Sequence, residues 1–460
     1  MDSLASSFMH NFSGQLLSRL FSFCINMYLL RRIDSDALGL VNVNLMLFYS
    51  TTIFLIREPF RKDKKKFHSF PGFNSNLPLI CPLIAAVLYL CFWLPFSTLP
   101  DASLVPSYTT ALSMFAFSAW LESFAEPYVI LSLRFGMDAQ YAFAQSFLVI
   151  SQRVFALILV IMVPILPVYA FCFAQVFSGI RSVAPSIKDF SLVSELKFQN
   201  RSILGAFTVH SIFKQVVTNG TGYVLTFTNF FSLSDQAVFD AVDKLGSLVA
   251  RVIFAPLEHS AYFTYRFQTD VKKGVNAMSS LLHIVILVGI VIFIFAIPYS
   301  SLAVKIYGGT VLISNSGANI LRLYSFYIII IAINGIIECF AMATMNEKEL
   351  LSHGWFLFFS SPIHIFLSFI FSYAISAYGL ILANIITMLM RIAYSWRHIR
   401  RFSRGQISFL KSLPNFPTIL ILFFCLMVTS LSFLVSFLNF IKIAECTFYI
   451  VKKGKSVSLI

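Results

Sequence analysis

Apolar stretches of about twenty residues recur from one end of this chain to the other, separated by short polar segments. That length is what a helix needs to cross about 30 Å of hydrocarbon. In order, the runs predict helices over 12–30, 38–56, 77–97, 108–131, 142–163, 165–182, 207–231, 236–256, 280–302, 318–342, 354–376, 378–396 and 417–441. A further stretch, 443–451, is too short to span. The pattern predicts an all-α polytopic membrane protein with 13–14 transmembrane helices. The sixth run has the weakest pattern, because Pro164 and Pro167 sit just before it.

Composition points the same way. A length of 460 residues alone would suggest two or three soluble domains. Yet 58% of the residues are apolar and only 12% are charged, against about a quarter charged in soluble proteins. Such a chain cannot cover a water-facing surface.

The 34 basic and 20 acidic residues leave a net charge of +14. In a soluble protein that excess would raise nucleic acid as a partner. Here its distribution gives a different reason, and no nucleic acid is expected. Basic residues gather in 57–76, 183–206, 257–279 and 397–416, with single ones in 132–141 and 343–353, all after even-numbered helices. About twenty cations lie there, against about four after odd-numbered helices, namely Arg31, Arg32, Lys305 and Arg322. Cytoplasmic loops collect Lys and Arg, so the N-terminus and the even loops are expected in the cytoplasm. This alternation also calls for the sixth helix. Without it, Arg181, Lys188, Lys197 and Arg201 would fall on the opposite side.

The N-terminus lacks the basic segment and small-residue site of a cleaved signal peptide. The seven cysteines show no CxxC and no Cys/His spacing for a metal, and read as small buried apolar residues. Sequons at Asn11, Asn200 and Asn219 fall on the expected cytoplasmic side or inside a helix, and are expected to be unmodified.

Polar residues inside the helices carry the functional information. An ionisable side chain in mid-membrane costs about 2.5–3.5 kcal/mol on insertion scales and usually faces protein or water. Helix one has Arg19, helix two has Asn42 and Asn44 and ends at Arg57-Glu58-Pro59, and helix four has Glu122 and Glu126 one turn apart. Helix five has Ser151-Gln152-Arg153, helix seven His210, Lys214 and Gln215, helix ten Asn334 and Glu338, and helix twelve Asn384 and Arg391. On helix eight, Gln236, Asp240, Lys244, Ser247 and Arg251 form one stripe. Such a stripe is either an ion-pair ladder or the wall of an aqueous cavity. Polar helices in both halves of the chain favour the cavity.

Arginine stands out, at Arg19, Arg57, Arg153, Arg251 and Arg391. Guanidinium stays charged and offers a planar fork to phosphate oxygens, so a cavity lined this way suits an anionic headgroup such as a diphosphate. The plain alternative is that each arginine pairs with Glu58, Glu122, Glu126 or Glu338, which is the expectation for Arg153. Arg57 and Arg61 can also simply mark the cytoplasmic border. No Walker loop, HExxH or GxSxG is present, and Gly308-Gly309-Thr310 reads as a turn. The expectation is no enzyme, no catalytic residue, no cofactor and no metal.

Eight segments stand out along the chain: Val41–Arg61 (VNVNLMLFYSTTIFLIREPFR), Glu122–Pro127 (ESFAEP), Tyr223–Phe227 (YVLTF), Asp235–Asp240 (DQAVFD), Lys244–Phe254 (KLGSLVARVIF), Ile306–Thr310 (IYGGT), Ala332–Phe340 (AINGIIECF) and Gly379–Asn384 (GLILAN). In this order they resemble the motifs of the Rft family, eukaryotic endoplasmic-reticulum proteins associated with dolichol-linked oligosaccharide translocation. The family belongs to the multidrug/oligosaccharidyl-lipid/polysaccharide flippase superfamily. The stretch Asn219-Gly-Thr-Gly departs from relatives, which usually carry charged residues there.

The resemblance implies two pseudo-symmetric six-helix lobes around a central polar cavity, plus C-terminal helices. These would be an N-lobe over 1–182, a cytoplasmic linker over 183–206, a C-lobe over 207–396 and a C-terminal segment over 397–460. A weak echo of a repeat is visible at an offset near 200, where Asp36 and Asp235 open helices that end by Pro59 and Pro256.

The implied function is movement of a dolichyl-diphosphate heptasaccharide from the cytoplasmic to the luminal leaflet for N-glycosylation. Partners would be that lipid, membrane lipids and other proteins of the same pathway. By motif, Arg31, Arg57, Arg61, Arg251 and Arg391 would hold the diphosphate. Asn42, Asn44, Glu122, Glu126, Gln236, Asp240, Lys244, Asn334, Glu338 and Asn384 would line or gate the cavity. An accessory protein that only binds the lipid is the alternative, followed by an ion-coupled multidrug exporter, which would be expected to show a more acidic cavity.

Overall fold

The computed structural model describes residues 20–61, 77–97, 99–134, 138–183, 212, 215–216, 218–267, 271–314, 316–405 and 412–435. Among them no strand occurs, and each of the thirteen predicted runs contains helix where described, the fourth broken by a turn at 124–125 and the seventh leaving the helix after Phe227. Eight of these helices are long and apolar enough to cross a membrane. The chain is a multi-pass, all-helical membrane protein. The 443–451 stretch, Lys214, most of the 183–206 linker and the sequons at Asn11 and Asn200 lie outside the described residues.

The sixth helix is present, over Pro167–Val183. The two prolines that weaken its pattern explain its start. Pro164 ends the preceding helix region, and a proline at the first helical position loses no hydrogen bond. Inside this helix Gln175 meets the fourth span, because Ser118 Oγ donates to its carbonyl at 2.7 Å. Gly179 lies against Ser118 and Leu121, where a side chain would crowd the contact. Gln152 of the Asp138–Met162 helix donates to the Gln175 side chain, so one buried amide ties three helices together.

Two helices run further than expected. The second span comprises Ser35–Gly39, a π-helical segment Leu40–Leu45 and Met46–Arg61, and so continues through Pro59. The eighth comprises Leu233–Val249, a π-helical segment Ala250–Phe254 and Ala255–Phe267, and continues through Pro256. A helical proline clashes with the carbonyl four residues back. For Pro256 that carbonyl belongs to Val252, inside the π segment, where the widened turn moves it aside. Pro95 follows the π segment Tyr89–Trp93 in the same way.

Contacts divide the described residues into two units. The first falls within Met1–Leu245, Tyr307–Asn315 and Asn346–Thr387, and the second within Gly246–Ile306, Ser316–Met345 and Met388–Ile460. The second span is the hub of the first unit, with about two thirds of its most apolar stretch buried. Its Phe48 meets Trp93 edge-on at 5.0 Å, and Trp93 in turn meets Phe227 at 4.9 Å. In the second unit the Gly317–Thr344 helix is central, burying Ile336, Ile337, Phe340 and Ala341. By contrast, the most apolar stretch of the Phe416–Val435 helix buries no residue, and Phe416, Phe423, Phe424 and Leu431 point outward, as on a lipid-facing helix. Cys24, Cys91 and Cys425 are likewise exposed rather than buried, because they sit on outward faces where lipid asks only for an apolar side chain.

Two glycines of the first unit give a test of this packing. A Cβ on Gly39 would overlap the Leu233 carbonyl, whereas one on Gly354 would meet nothing within 4 Å. Gly39→Ala is expected to reduce the yield of monodisperse protein on fluorescence-detected size exclusion. Gly354→Ala, in an open helical position, is expected to raise thermal stability, by about 1 kcal/mol of helix propensity.

Candidate functional site

The predicted polar residues resolve into separate groups. In the first unit, Arg57 reaches across from the end of the second span to the fourth. Its Nη2 pairs with Glu122, and its Nε lies 2.5 Å from Glu126 Oε1. Tyr49, two helical turns earlier, donates its hydroxyl to the other oxygen of Glu122. Glu126 is 1% exposed, so the pair is shut away from solvent on the carboxylate side. Glu122 stands at the end of the Tyr108–Ser123 helix and Glu126 opens the Glu126–Arg134 helix, so the fourth run is not the single helix expected over 108–131, and across the turn at 124–125 both carboxylates meet Arg57.

A second group runs along the opposite part of the same helix. Asn44 Nδ2 donates to Gln236 Oε1 at 3.0 Å, and both residues are buried. Thr51 Oγ1 is 2.8 Å from the Tyr223 hydroxyl and accepts from Gln215 Nε2 at 3.3 Å. The neighbouring Thr221 donates to Asn384 Oδ1 at 3.4 Å. These bonds join the second, seventh, eighth and twelfth spans by their polar positions. Pairing such groups within the protein removes their penalty in hydrocarbon.

The second unit holds a counterpart of the Arg57 group. Arg391 Nη2 donates to both oxygens of Glu338, at 2.9 and 2.6 Å, and Asn334 Nδ2 donates to the same carboxylate at 2.9 Å. Glu258, beyond Pro256 on the eighth span, packs directly onto Gly335, where any side chain would collide with its carboxylate. Its backbone carbonyl accepts from Cys339 Sγ at 3.2 Å. Glu258 was invisible to a reading that ends the helix at Pro256.

The stripe on the eighth span is neither a ladder between helices throughout nor a bare wall. Gln236 bonds the second span, Lys244 Nζ pairs back to Asp240 at 2.6 Å, and Arg251 donates to Ser247. Asp240 and Lys244 border a small, part-open pocket in the first unit with Asn26, Asn42, Arg153 and Tyr307. Arg153 therefore corrects an expectation. It pairs with none of the four glutamates, because the fifth span turns it toward Asp240 and away from the fourth span's carboxylates.

Among the remaining predicted residues, Arg31 is exposed at the end of the first span, beside Gly309. Gly309 takes a left-handed φ of 68° and kinks the Val271–Ser314 helix, as the turn reading of Gly308-Gly309-Thr310 requires. Arg251 is exposed. Arg61 closes the second span, and its side chain lies outside the described residues. The structure thus brings Arg57 together with Glu122 and Glu126, Arg391 with Glu338 and Asn334, and Asp240 with Lys244 and Asn42. The roles of Tyr49 and Tyr223 are not legible beforehand, since a tyrosine in an apolar run carries no sequence signal of the hydrogen bond it makes.

A family model described as "Rft protein" matches residues 3–453. The chain is 40% identical to the Caenorhabditis elegans Man(5)GlcNAc(2)-PP-dolichol translocation protein RFT1, over 94% of this chain and 90% of that protein. It is 32% identical to the Xenopus tropicalis protein of the same name, over 85% and 81%. Among solved structures it matches the lipid II flippase MurJ in its inward closed conformation, with a TM-score of 0.61 at 13% identity, covering 94% of this chain and 99% of that one. An inward-facing multidrug-resistance MATE family transporter matches with a TM-score of 0.52 at 14% identity, covering 85% and 96%. At such identities the likeness establishes a shared fold, that of helical transporters.

Arg57 is the element of this site whose removal has the clearest consequence. Arg57→Ala leaves two glutamates facing each other without a cation, and loss of one partner of a buried pair costs about 3–5 kcal/mol. A large drop in melting temperature in detergent is expected. Replacing Arg57 by Met together with Glu122→Gln and Glu126→Gln is expected to recover most of it, because no uncompensated charge remains.

Proposed function

The chain belongs to the Rft family, and on that footing we propose that it is an intramembrane glycolipid transporter rather than an enzyme. It moves a dolichyl-diphosphate-linked heptasaccharide of five mannose and two N-acetylglucosamine units from the cytoplasmic to the luminal leaflet of the endoplasmic reticulum, for protein N-glycosylation. The observation that carries this reading is the end-to-end likeness to the Caenorhabditis elegans protein, whose name states that lipid. The bias of Lys and Arg to the loops after even-numbered spans supports a cytoplasmic N-terminus.

The side-chain chemistry fits a diphosphate headgroup carried past helices while its polyprenyl tail stays in lipid. Arg31, Arg61 and Arg251 are the cations we assign to the headgroup, since guanidinium matches phosphate oxygens two at a time. Arg57 and Arg391 are held by glutamates and act as links between helices. They reach a diphosphate in a conformation that opens those pairs. Alternating access of an N-lobe over 1–182 and a C-lobe over 207–396 would expose the headgroup path to each leaflet in turn. Translocation makes and breaks no covalent bond, so its direction follows from a gradient or from consumption of the lipid on the far side.

The deciding experiment is transbilayer movement of radiolabelled dolichyl-diphosphate heptasaccharide in liposomes holding the purified chain, with protein-free vesicles and Arg251→Ala as controls. Movement above the protein-free rate, lost in Arg251→Ala, is the expected result. Absence of movement from folded protein that still binds the lipid overturns the transporter reading in favour of an accessory, lipid-delivering role.

A further inference from the structure

The pocket of the first unit holds two cations, Arg153 and Lys244, facing one carboxylate, Asp240. Arg153 Nε is shut off from solvent and has no hydrogen-bond partner, and no ion pair joins this guanidinium to a carboxylate of the described residues. The carboxylate in the same pocket, Asp240, is taken by Lys244 at 2.6 Å. Arginine does not lose its proton to relieve the strain. A charged group in a membrane interior normally faces a partner or a substrate path. Arg153 and Lys244 against Asp240 leave the pocket with one net positive charge, and Asn26 and Asn42 add amide donors. Asn42 stands in the π-helical segment Leu40–Leu45, a backbone irregularity that often accompanies a functional site.

We propose that Arg153 is a phosphate-binding residue, forming with Lys244 and Asn42 an anion station separate from the Arg57 group. This deepens the diphosphate-lipid reading and rests on it. Asn42 and Arg57 lie 15 positions apart on one helix, about 22 Å along its axis. With the second span entering from the lumen, the station lies in the luminal half of the spans, on the path a headgroup takes before release. The pocket as it stands admits nothing larger than a water molecule, so a phosphate enters in a conformation that parts the fifth and eighth spans, takes the Arg153 fork and draws Lys244 away from Asp240. When it leaves, Asp240 recaptures Lys244 and resets the pocket. No covalent bond changes in either step.

The test is binding of farnesyl diphosphate, as a short polyprenyl diphosphate, to the full chain in lipid nanodiscs, with farnesol and inorganic diphosphate as separate arms. Arg153→Gln is expected to weaken farnesyl diphosphate about tenfold and leave farnesol unchanged, the size of one lost charge-assisted hydrogen bond. Arg153→Lys retains most of the affinity. Asp240→Asn, which releases Lys244, tightens binding, and this opposite sign keeps the test decisive where Arg153→Gln folds poorly. Competition by inorganic diphosphate alone marks a site for the free anion, whereas preference for the farnesyl form marks the lipid headgroup, and either supports the anion station. If the wild-type chain binds farnesyl diphosphate and neither Arg153→Gln nor Asp240→Asn alters it, the Arg153 assignment is overturned and the transporter reading stands. If the wild-type chain does not distinguish farnesyl diphosphate from farnesol and does not bind inorganic diphosphate, both fall together.

Discussion

Hydrocarbon offers no hydrogen bonds, so each polar group along these helices has to be answered from within the protein. That constraint selects helices for every described span, since only a helix satisfies its own backbone. It also makes the few polar side chains decide which helices meet. Arg57 joins the second span to the fourth through Glu122 and Glu126. Gln175 joins the sixth to the fourth and fifth, and Asn44 joins the second to the eighth. Apolar packing alone discriminates poorly among helices in lipid, because tails and side chains are equally apolar. The polar pairs supply the specificity that the hydrophobic effect supplies in water.

The two carboxylate–arginine groups follow one plan. In each, two polar residues four positions apart, Glu122 with Glu126 across a turn or Asn334 with Glu338 on one helix, receive an arginine from a different helix of the same unit. The arginine stays charged, and burying it beside a carboxylate avoids the penalty of leaving it alone. Arg153 departs from that plan, and its departure is what makes it informative. A chain that pairs its other buried arginines so closely holds this one open in a pocket beside an aspartate already engaged by Lys244.

Much of the architecture was legible in the sequence. Run length located the spans, and the alternation of basic loops required a sixth helix that hydropathy alone left weak. The motif resemblance to the Rft family agrees with the match over residues 3–453. The errors were local and physical. Pro59 and Pro256 read as helix ends, but the helix runs through both, and at Pro256 the preceding π turn moves the clashing carbonyl aside, a condition not written in the proline itself.

The sequence by itself determined that this chain is a helical membrane protein, roughly where each helix lies, and which polar residues sit in the membrane. It did so because hydrophobic length and charge bias act along the chain, one helix at a time. Tertiary structure alone decided which charge answers which. Arg57 and Arg391 stand 65 and 53 residues from the glutamates they bind through Nη2, and Asn44 stands 192 from Gln236. Spacing along the chain carries no information about such pairs. Whether an arginine is a link between helices or an open cation depends on which helix faces it, and that is settled only when the helices pack.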